Sequence, residues 1–160
     1  MDNNIEKAVY DLLINKKMTF ASAESCTGGN IAHVVTLIPG SSEVFRGAAV
    51  TYATPTKTKV IGVPTELIEE FGVVSCEVAE SMAQGVRRLM ESDYGVSTTG
   101  VAGPSGGTQE TPVGTVCIGL ATPQGVSSQC CHFEGDRQSV INQATQAAYQ
   151  LLFDWINNNL

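Results

Sequence analysis

The stretch Ser22-Ala-Glu-Ser-Cys-Thr-Gly-Gly29 constrains the fold more than any other part of the chain. Before it, Met18-Thr-Phe-Ala21 has the β-forming character of a short strand. After it, Ile31, Val34/Val35 and Ile38 recur at helical spacing over residues 30–38. A strand that passes into a helix across a diglycine is a building unit of α/β domains. Gly28 and Gly29 are expected in the first turn of that helix, where unpaired backbone N–H groups can cradle a phosphate or a developing oxyanion. A serine at the junction is either a helix cap or a nucleophile, and capping is the commoner role.

The remaining pattern fits one domain. An amphipathic helix from about Asn3 to Asn15 carries Ile5, Val9, Leu12 and Leu13 on one stripe. Pro39-Gly-Ser-Ser42 reads as a turn and residues 46–53 as a strand. Thr54, with Pro55 at the first helical position, opens a short helix through Ile61, and another follows Val63-Pro64. Ser75 caps a longer helix with Val78, Met82, Val86 and Leu89 inward. Tyr94 to Gly100 reads as a buried strand entering the loop Gly103-Pro-Ser-Gly-Gly107. Residues 113–121 and 126–133 form an expected antiparallel hairpin. Asp136 caps a closing helix with Val140, Ala144, Ala147, Leu151 and Trp155 inward. The hairpin breaks strict strand–helix alternation. The expected fold is therefore a three-layer α/β/α sandwich with a mixed sheet, one domain over residues 1–160.

Sixteen acidic against nine basic residues give a formal charge of −7, which argues against nucleic acid as a partner. A small anion can still be held by local amides and one arginine. No apolar run reaches membrane-spanning length, and the N-terminal residues show no basic segment leading into an apolar one. A cytoplasmic protein with no membrane partner is expected. Cys26, Cys76, Cys117, Cys130 and Cys131 are odd in number and form no C-x-x-C pair, so they read as free thiols in a reducing compartment. The adjacent Cys130 and Cys131 would point to opposite faces of a strand. A zinc site would have to gather scattered ligands with only His33 and His132 to help, so no metal is expected.

The loops 24–29, 52–57 and 100–107 each follow an expected strand, and open α/β sheets place ligands at the carboxyl ends of their strands. Ser25, Tyr52 and Lys57 are thereby candidates for one pocket. A serine hydroxyl needs a partner to take its proton. His33 would lie about 12 Å up the helix axis, and His132 falls in the hairpin, so a Ser-His-Asp triad is not indicated. A lysine does the same work if burial lowers its pKa. Lys57 is placed for this across the Thr54-Pro55 turn from Tyr52, which could relay a proton or hold the amine. Lysines in short helices are ordinarily solvated, however, and spacing alone leaves the pair open.

The motifs gain weight in combination. Ser22 to Gly29, Val50-Thr-Tyr-Ala53 with Lys57, Val101 to Gly107, Pro112-Val-Gly-Thr-Val116 and Gly135-Asp-Arg137 occur in this order. Together they resemble the competence/damage-inducible CinA C-terminal family over nearly the whole chain. The resemblance implies a nicotinamide-nucleotide amidohydrolase of pyridine-nucleotide salvage. Such an enzyme converts nicotinamide mononucleotide and water to nicotinate mononucleotide and ammonia, with no cofactor. It places the family's catalytic serine, tyrosine and lysine on Ser25, Tyr52 and Lys57.

The mechanism expected on that basis has Lys57 taking the Ser25 proton, directly or through Tyr52. N–H groups near Thr27, Gly28 and Gly29 receive the oxyanion. Gly103, Gly106, Gly107 and Arg137 are candidates to hold the phosphate, and Glu24 either orients the lysine or caps the helix. Relatives imply self-association, so a homo-oligomer is expected. Thr54-Pro-Thr56 departs from the common family pattern, and Pro55 can shift the approach of Lys57. The rival readings are a non-catalytic nucleotide-binding module linked to competence or DNA damage, another serine amidase or esterase, and thiol hydrolysis through Cys26.

Overall fold

The computed structural model describes residues 4–159. Along the chain run α1 (Ile5–Lys16), β1 (Phe20–Glu24), α2 (Asn30–Thr36) and β2 (Phe45–Val50). Then come α3 (Thr54–Ile61), α4 (Thr65–Phe71), α5 (Cys76–Met90) and β3 (Tyr94–Gly100). The hairpin β4 (Thr115–Thr122) and β5 (Gly125–His132) and the helix α6 (Arg137–Asn158) complete it. The strands lie in the order β2-β1-β3-β4-β5. β1 is parallel to both β2 and β3, while β4 and β5 are antiparallel to their neighbours, which makes the sheet mixed.

Helices cover both faces. On one side α1, α2 and α6 bury Val9, Leu13, Ile31, Val35, Val140 and Leu152 against Phe20, Val96 and Ile118 of the sheet. On the other, α5 with α3 presses Val78, Met82, Val86 and Ile61 onto Ala21, Ala23 and Ala49. The second layer sits close because β3 and β4 carry glycine beneath α5. A Cβ on Gly95 would collide with the Ala83 carbonyl, and one on Gly119 with the Ala79 carbonyl. The chain leaves β1 over one face, through α2, and leaves β2 over the other, through α3 to α5. The carboxyl ends of β1 and β3 therefore flank a topological switch point, where open α/β sheets bind ligands.

The expected three-layer α/β/α architecture is present, and several boundaries differ. β1 runs to Glu24 rather than stopping at Ala21, with all five residues buried between the two helical layers. Ser22 and Glu24 hide a strand that reads as polar. Gly28 and Gly29 precede α2 instead of forming its first turn; both have positive φ, at 59° and 101°, and Gly29 occupies the N-cap. Asn4, whose side chain accepts from the Lys7 amide, caps α1, and Asn3 lies outside the described residues.

The buried face of α6 is turned by one residue from its expected course. Val140 and Ala144 are followed inward by Ala148, Leu152 and Ile156, whereas Ala147, Leu151 and Trp155 are half-buried. The inward residues advance by four, a row that drifts around a helix of 3.6 residues per turn, so the buried face slants across α6 instead of holding the 3-and-4 course. Leu89 of α5 is exposed, because Gly85 and Val86 already face the core at that end.

Candidate active site

Glu24, the last residue of β1, decides how the strand enters the helix. It is fully buried and accepts hydrogen bonds from the Ile31 and Ala32 amides and from the hydroxyls of Ser22 and Thr27. The carboxylate thus caps α2 and answers its positive N-terminal end. Glu24 makes no bond to Lys57 and does not line a cavity, so of its two expected roles the structure selects the cap and gives it no place among substrate contacts. Thr27 is likewise buried, with its hydroxyl shared between Glu24 and Thr98.

Ser25 stands one residue beyond this cap, its amide held by the Thr98 carbonyl of β3. From the carboxyl end of β2 the chain turns into α3, whose first turn carries Lys57 inward. Lys57 is 1% exposed. Its Nζ lies 3.2 Å from the Ser25 Oγ and donates to the Thr51 carbonyl at 2.6 Å. Desolvation by burial pulls the lysine pKa below its ordinary value. Among the described residues no carboxylate pairs with it, since the ion pair found there is Lys7–Asp11 on the exposed face of α1.

Ser25 and Lys57 open onto a cavity of about 570 Å³. All three loops expected to meet do so there: Ser25 and Cys26, Tyr52 and Thr54, and Gly100 to Gly103 with Ser105, Gly106 and Thr108 line it. Two further pieces were not signalled by the sequence. One is the segment Phe71 to Val74 at the end of α4, fixed where Thr99 donates its hydroxyl to the Val73 carbonyl. The other is Glu110 with Thr111.

Tyr52 lines the same cavity but is not bonded to the serine or the lysine. It is 57% exposed. Its hydroxyl accepts from Arg137 Nη2 at 2.9 Å, and Arg137 Nη1 donates to the Gly103 carbonyl at 2.6 Å. Arg137 thereby ties the β2 loop to the β3 loop. A second cavity of about 410 Å³ lies across this tie, and Thr27, Gly28, Gly29 and His33 line that one. Neither His33 nor His132 lines the Ser25 cavity, and both are exposed.

Several backbone donors are also allocated. The Gly28 amide bonds the Ser25 carbonyl and the Asn30 amide the Thr27 carbonyl. Glu24 takes Ile31 and Ala32, which leaves the amides of Thr27 and Gly29 without a protein acceptor among the described residues. Among the described residues the Cys26 amide, beside Ser25, has no protein acceptor, and neither do the amides of Ser105, Gly106 and Gly107. Gly103 and Gly106 line the Ser25 cavity with positive φ, while Gly107 is set back against the Val113 amide. The Cys26 thiol is pushed up to about 11 by burial, which keeps it protonated near neutrality and unsuited to attack.

The profile of the CinA C-terminal domain matches residues 2–156. The chain belongs to this family. CinA-like proteins of Geobacter metallireducens and Fervidobacterium nodosum are 47% and 42% identical to it over 98% and 94% of its length. It spans about 37% of either of those curated relatives.

Among solved structures, the CinA superfamily protein of Klebsiella pneumoniae 700603 matches with a TM-score of 0.93 at 28% identity, covering 96% of both chains. The competence/damage inducible protein CihA of Agrobacterium tumefaciens matches with a TM-score of 0.89 at 32% identity, covering 98% of both. The family match covers the fold from α1 to Ile156 in α6. Among the described residues no helix is long and apolar enough to cross a membrane.

Proposed function

We propose that this CinA-family domain is a nicotinamide-nucleotide amidohydrolase with Ser25 as nucleophile and Lys57 as general base. The observation that carries this reading is the buried Lys57 amine, depressed in pKa and 3.2 Å from the Ser25 hydroxyl at a cavity large enough for a mononucleotide.

Neutral Lys57 takes the Ser25 proton as Oγ attacks the carboxamide carbon, and the Thr51 carbonyl holds the amine in line. The Cys26 amide, next to the nucleophile, faces the developing oxyanion. Protonated Lys57 then returns the proton to the leaving nitrogen, and ammonia departs. Water, deprotonated by the same amine, attacks the acyl-serine carbonyl and frees nicotinate mononucleotide with Ser25 restored. With no hydrogen bond from Tyr52 to either partner, the proton moves directly between Ser25 and Lys57. Tyr52 serves instead to position Arg137.

The rest of the cavity suits the rest of the substrate. Phe71, Val73 and Val74 offer an apolar wall for the pyridine ring, and Glu110 a carboxylate for its positive charge. Arg137 uses two of its five N–H groups on Gly103 and Tyr52 and has others for a phosphate. Ser105 and Gly106, whose amides have no backbone acceptor, line the same cavity as Arg137.

The test is product identification. Purified protein incubated with nicotinamide mononucleotide yields equimolar ammonia and nicotinate mononucleotide, and Ser25→Ala yields neither. Saturable binding of the nucleotide with no ammonia released would favour a regulatory binding module instead. Equal hydrolysis of free nicotinamide would favour a general amidase.

A further inference from the structure

Three of the five cysteines, scattered in the sequence, meet in the fold. Cys117 on β4 and Cys130 on β5 are register partners. Phe133 donates to the Gly114 carbonyl, one of the two bonds of a hydrogen-bonded rung, while the Gly114 amide goes to Val101. Cys117–Cys130, three rungs along, is then a pair without exchanged hydrogen bonds, the kind in which side chains of antiparallel strands approach most closely. Their sulfurs are 2.8 Å apart. Cys76, in the first turn of α5, brings a third sulfur to 2.8 Å from that of Cys130. All three sulfurs lie within 4.8 Å of one another.

From this we infer that Cys76, Cys117 and Cys130 form a binding site for a thiophilic metal ion of the Zn²⁺ type, independent of the Ser25 cavity. Three sulfurs converging from three elements are more than one disulfide can use, and thiolates are the ligands that select such ions. The start of α5 favours the negative charge that Cys76 acquires as a ligand. Cys117 is buried and Cys130 exposed, so an ion held here has protein on one side and solvent on the other, leaving a position for water. The thiols release their protons to solvent as the ion binds. Cys131 faces away, packed in the α6-side core, and takes no part.

An ion here would join the first turn of α5 to the β4–β5 hairpin. Cys76 stands two residues beyond Val74, the end of the cavity wall, with the cap Ser75 between them, so the clamp would steady that wall. This is a positioning role and leaves the Ser25–Lys57 chemistry unchanged.

The experiment uses the full chain, reduced and freed of metal, titrated with Co²⁺ under anaerobic conditions. The expected result is one equivalent bound, with thiolate-to-cobalt charge-transfer absorption that Zn²⁺ abolishes by displacement. Cys130→Ser, at an exposed position that leaves folding intact by circular dichroism, loses that absorption, and Cys131→Ser keeps it. The inference is overturned if reduced protein develops no charge-transfer band. It is overturned equally if Cys130→Ser binds Co²⁺ as wild type does, or if the thiols only oxidise to a disulfide without taking metal when reduced.

Discussion

The amine of Lys57 lies 3.2 Å from the hydroxyl oxygen of Ser25, a residue 32 positions earlier, and the carbonyl of Thr51 fixes it there from the other side. Neither residue is unusual alone. The arrangement is chemically competent because the lysine is buried without a carboxylate, so its charged form is the disfavoured one.

The pH dependence follows with a definite sign. The base must be neutral, so kcat/KM rises with pH until it passes the folded-state pKa of Lys57, which lies below the ordinary 10.5. Between that pKa and 10.5 the unfolded chain binds more protons than the folded one, so stability rises with pH across the same window. Lys57→Met removes this slope. Denaturant titrations of wild type and Lys57→Met at several pH values check it, and parallel profiles would contradict it.

Tyr52→Phe separates a proton relay from a positioning role. Removing the hydroxyl frees Arg137 but leaves Lys57 and Ser25 in contact, so KM rises about 2- to 10-fold while kcat holds. A kcat loss of about 100-fold with KM unchanged would restore Tyr52 to the proton path.

Arg137→Ala removes the cation at the phosphate end. The expected loss in kcat/KM for the mononucleotide is about 10- to 100-fold. Nicotinamide riboside, which lacks the phosphate, is turned over equally by both proteins. Steady-state kinetics on the two substrates decide it, and equal losses on both would place Arg137 elsewhere.

Glu24→Ala takes the acceptor from four donors at once, the amides of Ile31 and Ala32 and the hydroxyls of Ser22 and Thr27, of which Thr27 keeps a partner in Thr98. A cost of about 3 kcal/mol or more follows, a fall of roughly 6–12 °C in Tm. Calorimetry measures it. A change below about 1 kcal/mol would mean that the carboxylate does not hold α2 in place.

The layered fold was legible because its elements carry strong local signals: Ser75 and Asp136 as caps, Pro55 at a helix start, and the alternation of strand and helix runs. What escaped was set by tertiary contact. Ser22 and Glu24 read as loop because they are polar, yet their partners on α2, known only once the chain is folded, let them end a buried strand. The site's central pair could be named from motif order, and its cavity from the strand ends. Its wall at Phe71 to Val74 could not, since apolar residues after a short helix look the same whether they face core or ligand. Tyr52 was placed in the right cavity with the wrong neighbour, because loop direction after β2 depends on Arg137, far along the chain. The sulfur cluster was missed for the same reason: strand register, not sequence distance, brings Cys117 to Cys130.

The most direct measurement is the initial rate of ammonia release from saturating nicotinamide mononucleotide by wild type, Lys57→Ala and Lys57→Arg. The account predicts steady release by the wild type and a fall of about 10²–10⁴-fold in both variants, because alanine supplies no base and a guanidinium stays protonated. Undiminished release by Lys57→Ala would contradict it.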